Sequence, residues 1–143
     1  MLNLVPTPAP RLLLVDSDPD VADALQRALR RAGWDVLCAA TGWAALQLSA
    51  SYKPGLALVS LSLPDMDGRK LVEQLAREGS CAVVAMSGGD ECARQRLLDG
   101  GALDYLVKPM AMRDMLARLQ DALQRWGDGC GTDAAAGAGG AAA

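Results

Sequence analysis

Four polar clusters recur along the chain, each placed directly after a short apolar run: Asp16-Ser17-Asp18, Ser60, Ser87-Gly88 and Lys108-Pro109. If those runs are parallel strands, the clusters meet at one edge of a sheet, where open α/β sheets bind ligands and do chemistry. The set comprises the Asp16 carboxylate, the hydroxyls of Ser17, Ser60 and Ser87, and the Lys108 ammonium. Asp16 and Lys108 can pair, so that neither charge stays buried alone. The same two charges can instead take up an ionic ligand. Ser60 with Lys108 can form a nucleophile–base dyad. The chain has no histidine, which excludes Ser-His and Cys-His catalysis, His-ligated metal and phosphohistidine. No G-x-S-x-G elbow surrounds Ser60. No P-loop or G-x-G-x-x-G pattern accompanies Gly88-Gly89, which reads as a loop.

The apolar runs that must position these residues are RLLLVD at 11–16, WDVLCA at 34–39, LALVS at 56–60, AVVAMS at 82–87 and LDYLV at 103–107. Four of the five lack polar alternation, as strands covered on both faces do. Helical patterns lie between them. Val21, Ala24, Leu25, Ala28 and Leu29 form one stripe, with Asp18 as N-cap and Pro19 in the first turn. Residues 43–49 form a second helix capped by Thr41. Leu71, Val72 and Leu75 mark a third, and Ala93, Leu97 and Leu98 a fourth. Met112, Met115, Leu116, Leu119, Leu123 and Trp126 mark the fifth and longest. Five strand–helix units predict a doubly wound, five-stranded parallel sheet in a three-layer α/β/α arrangement.

At 143 residues, 51% hydrophobic and 22% charged, the chain suits one packed domain. Its core must come from Leu, Val, Ala and Met, since Phe and Ile are missing. Residues 1–10 (MLNLVPTPAP) read as a Pro-rich extended arm. Residues 11–126 form the domain. Residues 127–143 (GDGCGTDAAAGAGGAAA) read as a flexible Gly/Ala tail or linker stub. Fourteen basic residues face seventeen acidic ones, a formal charge of −3 with no basic stripe, so direct nucleic-acid binding is not expected. Cys38, Cys81, Cys92 and Cys130 form no C-x-x-C; three read as core thiols and one as a tail thiol. No apolar run approaches the ~20 residues of a membrane span. Without a signal-peptide pattern, the expected location is cytoplasmic.

The segments LLLVDSDPDV at 12–21, LVSLSLPDMDG at 58–68, VVAMSGGD at 83–90 and GALDYLVKP at 101–109 resemble, in order and spacing, the receiver domain of bacterial response regulators. That is the CheY-like, flavodoxin-like fold, and the likeness spans residues 11–126. The resemblance implies two-component phosphorelay signalling. In that family an acidic pair after the first strand holds a divalent cation. An aspartate after the third strand accepts a phosphoryl group from a histidine kinase. A Ser or Thr after the fourth binds the phosphate, a Lys after the fifth neutralises it, and an aromatic on the fifth strand swings with phosphorylation.

Carried over residue by residue, Asp16 matches the first acid and Ser17 stands where the second should be. Ser60 stands at the phosphoacceptor position, and Ser62 where a backbone carbonyl contacts the metal. Ser87, Lys108 and Tyr105 match the hydroxyl, the lysine and the switch aromatic; Pro109 matches the family's cis-proline. A hard cation wants oxygen ligands and net negative charge, and phosphoryl transfer wants a carboxylate nucleophile, so neither metal binding nor aspartyl phosphorylation is expected, and no cofactor is implied. Ser60 admits three readings: an unreactive position, a serine modified by some other kinase, or the Ser-Lys dyad of a hydrolase. Asp16 and Lys108 read as an ion pair or as the remnant of a ligand site. Tyr105 reads as a switch or as a rim aromatic on the face of the fourth helix, fifth strand and fifth helix. Met110, Met112 and Met115 read as helix packing. The resulting expectation is a non-enzymatic, atypical receiver that works by phosphorylation-independent protein interaction. Its partners would be a sensor kinase or an output protein, or a second copy bound through that face. The alternative is a switchable receiver with an unusual acceptor or small ligand.

Overall fold

The computed structural model describes residues 9–88 and 91–137, with 91–93 and 128–137 described by backbone alone. Strands and helices alternate: β1 (Arg11–Val15), α1 (Pro19–Arg31), β2 (Asp35–Ala39), α2 (Gly42–Tyr52), β3 (Leu56–Ser60), α3 (Gly68–Glu78), β4 (Ala82–Ser87), α4 (Glu91–Asp99), β5 (Asp104–Val107) and α5 (Met112–Gly137). The strands form one sheet in the order β2-β1-β3-β4-β5, and every pairing is parallel. This is the doubly wound, parallel arrangement that the pattern predicts and the CheY-like order that the resemblance implies.

The reason lies in strand periodicity. Successive side chains point to opposite faces, so an unbroken apolar run supplies both. Leu13, Val15, Ala57, Val59, Val83 and Ala85 pack on one side with Ala45, Leu71, Leu75 and Leu97 of α2, α3 and α4. Leu12, Leu14, Leu56, Leu58, Val84 and Leu106 pack on the other with Leu25, Leu29 and Leu119 of α1 and α5. Each fully buried Leu or Val removes enough apolar area to contribute ~1.5–3 kcal/mol. Met115 is buried here, and Met110 and Met112 pack partly against the same cluster. In α1 the buried residues are Leu25 and Leu29, flanked by Val21 and Ala22. Ala24, expected in that stripe, is exposed.

Local chemistry sets the helix ends. Asp18 accepts from the Asp20 and Val21 N–H groups at 3.0 and 3.3 Å, with Pro19 opening α1. Thr41 Oγ1 accepts from Ala44 N–H at 3.0 Å, and Asp67 from Arg69 N–H at 2.9 Å. Helix α2 is longer at both ends than the predicted 43–49. The structure also differs beyond Trp126, where α5 continues to Gly137 through the first part of the segment expected as a flexible tail. Extending a formed helix needs no new nucleus, and alanine is the best helix former. Residues 1–8 of the arm and 138–143 of the tail lie outside the described residues. Cys81 is buried and Cys38 half-buried. Burial pushes the Cys81 thiol up to about 11. The side chains of Cys92 and Cys130 lie outside the described set.

Two glycines bring the loop between β3 and α3 close to its neighbours. A Cβ at Gly68 would lie 2.5 Å from the Leu61 Cα and 2.6 Å from its carbonyl oxygen, whereas a Cβ at Gly42 would strike the Met66 side chain. Backbone cannot yield as a flexible thioether can. Gly68→Ala should therefore cost ~1–3 kcal/mol and Gly42→Ala well under that, read as urea midpoints. Equal costs would contradict the packing.

Candidate functional site at the carboxyl edge of the sheet

Asp16 follows β1 directly, and its side chain is 3% exposed. Its N–H donates to the Ala39 carbonyl at 3.0 Å, and its Oδ1 accepts from the Asp18 N–H at 2.9 Å. Lys108 Nζ approaches Oδ2 to 3.5 Å. That separation lies beyond a normal N–H···O bond, and Oδ2 is a buried oxygen without a hydrogen-bond partner among the described residues. The contact is therefore coulombic, held in a partly dry site, with Lys108 still 35% exposed. The Lys108 backbone N–H donates to the Ser87 carbonyl at 2.7 Å, and the Lys108–Pro109 bond is cis.

Ser17 Oγ donates to the Ser62 carbonyl at 3.1 Å. This joins the loop after β1 to the loop after β3. Ser60 ends β3 and is buried. Among the described residues no hydrogen bond connects it to Lys108, so the Ser-Lys dyad lacks its defining contact. Ser87 ends β4, half-buried.

Tyr105 is not the rim aromatic that the sequence allows. It is 1% exposed, opposite Ala85 in the register of β4 and β5, and packed in the cluster that holds Leu97. Its place in the strand aims it at the α3–α4 side instead of outward.

Two carboxylates that sequence reasoning passed over do structural work. Asp65 is exposed yet accepts from Gly42 N–H and Trp43 N–H, both at 2.9 Å. Those two bonds at the start of α2 hold its carboxyl below the usual carboxylate range. Asp104 on β5 accepts from Arg118 Nε of α5 at 2.8 Å and from Tyr105 N–H at 2.7 Å. Burial works to raise its pKa, but the bonds from Arg118 and Tyr105 prevail and lower it. An Asp and an Arg fourteen residues apart carry no local signal of pairing. A cavity of about 210 Å³ lies elsewhere, between α3 and α4, lined by Lys70, Glu73 and Arg96 among others.

The family described as response regulator receiver domain matches residues 12–120. Transcriptional regulatory protein PrrA of Mycobacterium tuberculosis is 35% identical over 123 residues, covering 83% of this chain and 52% of that protein. Response regulator MprA of Mycolicibacterium vanbaalenii is 36% identical over 129 residues, covering 87% and 56%. The chain thus spans about half the length of the curated relatives it matches. Among solved structures, a CheY-like receiver domain protein from Methanospirillum hungatei aligns with a TM-score of 0.76 at 30% identity, covering 83% of this chain and 97% of that one. The BeF3-activated receiver domain of Klebsiella pneumoniae RstA aligns at 0.76 and 29% identity, covering 79% and 97%.

Removing either partner of the Asp16–Lys108 contact strands the other charge. Lys108→Ala and Asp16→Ala should each cost ~1–3 kcal/mol, and the double variant less than the two together. A double-mutant cycle without coupling would refute the pair. For Asp104 the lowered pKa gives stability that is full above the unfolded-state value of about 3.9 and is lost as pH falls through the folded value. Asp104→Asn should therefore unfold with a shallower acid dependence than the parent below about pH 4, measured by circular dichroism.

Proposed function

The chain belongs to the response regulator receiver domain family, and on that premise we propose that it signals by protein contact without taking up phosphate. Receiver domains serve two-component signal transduction. The observation that carries the proposal is a serine, Ser60, at the end of β3 where the family's phosphoacceptor carboxylate belongs. A serine hydroxyl is a weak nucleophile unless a base activates it, and no hydrogen bond among the described residues supplies one.

The metal chemistry of the family fits these residues poorly. Its cation needs at least a pair of carboxylates. Ser17 and Ser60 stand where its other carboxylates would, and Lys108 lies 3.5 Å from Asp16. Ser17 turns its hydroxyl proton toward the Ser62 carbonyl, so the carbonyl that the resemblance would assign to a cation accepts a neutral hydrogen bond instead. No step of the proposed function passes through a metal. The Lys108 ammonium, left without a phosphate, answers the Asp16 charge instead.

Contact surfaces then carry the signal. The face of α4, β5 and α5 carries both signs of charge, with Asp114 exposed and Arg94 half-buried. Such a face suits symmetric pairing, since the acid of one copy meets the base of the other. A sensor kinase or an output protein can use the same face. Tyr105 is buried in the cluster that holds Leu97 of α4.

Acetyl phosphate and beryllofluoride are expected to leave mass, tryptophan emission and oligomeric state unchanged, with Mg²⁺ present. A phosphoryl mass gain would overturn the proposal. A beryllofluoride-dependent emission change would favour a receiver switched by a non-standard acceptor or small ligand. Phosphorylation should return only in the Ser17→Asp, Ser60→Asp double variant, because each residue supplies a different ligand to the metal. Full phosphorylation of Ser60→Asp alone would refute the charge argument.

A further inference from the structure

Among the described residues one large apolar side chain is left exposed: Trp43, at 65%. It stands in the first turn of α2, and that turn is firmly held. The Asp65 carboxylate accepts from the Gly42 and Trp43 N–H groups. Met66 fills the space beside Gly42. The indole is therefore presented from a fixed backbone. Leaving it in water forfeits the burial that the other large apolar side chains obtain. A rigid, pre-placed tryptophan is also the kind of anchor on which protein interfaces concentrate their binding energy.

The charges nearby select the occupant. Asp65 is bonded only to backbone N–H groups and has no Lys or Arg partner among the described residues. Arg69 is taken up by Asp67 and Lys108 by Asp16, and Lys70 lines the groove between α3 and α4. An exposed indole beside a carboxylate that has backbone donors but no cationic side chain among the described residues suits a guanidinium. That group stacks on the ring while its N–H donors reach the carboxylate.

We infer that the α2 corner is a docking surface for an arginine-bearing segment of a partner protein. Trp43 is the stacking platform and Asp65 the counter-charge. This surface is separate from Ser60 and from the α4–β5–α5 face, and it stands whether or not the domain takes up phosphate.

The test is a titration of the ¹⁵N-labelled chain with a synthetic peptide of alternating Arg and Ser. The control is the same peptide with neutral citrulline in place of Arg. The Trp43 indole signal and the Gly42 and Asp65 amides should shift saturably, while the Trp34 and Trp126 indoles stay in place. The citrulline peptide should bind about tenfold more weakly, and binding should weaken as salt rises from about 50 to 500 mM. Trp43→Leu should lose the interaction with an unchanged thermal midpoint. Equal binding by Trp43→Leu, equal binding of the citrulline peptide, or shifts confined to the α3–α4 groove would overturn the inference. So would a Trp43 shift driven by protein concentration alone, which would assign the surface to a second copy.

Discussion

A parallel sheet covered on both faces has nowhere to keep a charge except at its ends. Every residue of β3 is buried, as are all of β1 after Arg11 and all of β4 before Ser87. The side chains that follow those strands must therefore settle their charges among themselves, in a site that water only partly enters. Asp16 is the extreme case: its carboxylate is almost wholly enclosed, and Lys108 is the cation that reaches it. An uncompensated carboxylate there would cost several kcal/mol. The placement of Lys108, the bend after β5 and the contact between the β1 and β3 loops all answer that constraint.

The architecture was legible because its signal is strong and local. RLLLVD, LALVS and AVVAMS are too apolar and too short to be surface helices, and the caps at Asp18 and Thr41 stand where side-chain oxygens meet free N–H groups. The Asp16–Lys108 contact was legible for another reason. Topology places the ends of β1 and β5 on one edge, and a buried charge demands a partner. The roles of Asp65 and Asp104 were not legible. Each depends on a loop or helix approach made by elements distant in the chain, so nothing in the adjacent residues hints at the partner. Tyr105 stayed open between a switch and a rim aromatic because a four-residue edge strand does not declare which of its faces a helix will cover. The register with Ala85 decides it.

The loop from Leu61 to Asp67 is held from three directions. Ser17 bonds to Ser62, Asp65 caps the start of α2, and Gly68 N–H donates to the Leu61 carbonyl at 3.3 Å. Each of these bonds is modest alone. Together they leave the loop with few alternative shapes, and none of them requires anything from outside the chain. That is the physical sense in which this edge is self-sufficient.

The Arg118–Asp104 clamp has a consequence for the sheet margin. β5 is a four-residue strand at the sheet margin, hydrogen-bonded on one side only, to β4. A strand so short would fray by itself, but the guanidinium fastens it to α5 through Asp104 and lies 3.5 Å from the Tyr105 carbonyl. The guanidinium thereby ties β5 to the first half of α5, in addition to its ladder with β4. A partner gripping this margin would meet a strand anchored on two sides, by backbone to β4 and by a side chain to α5.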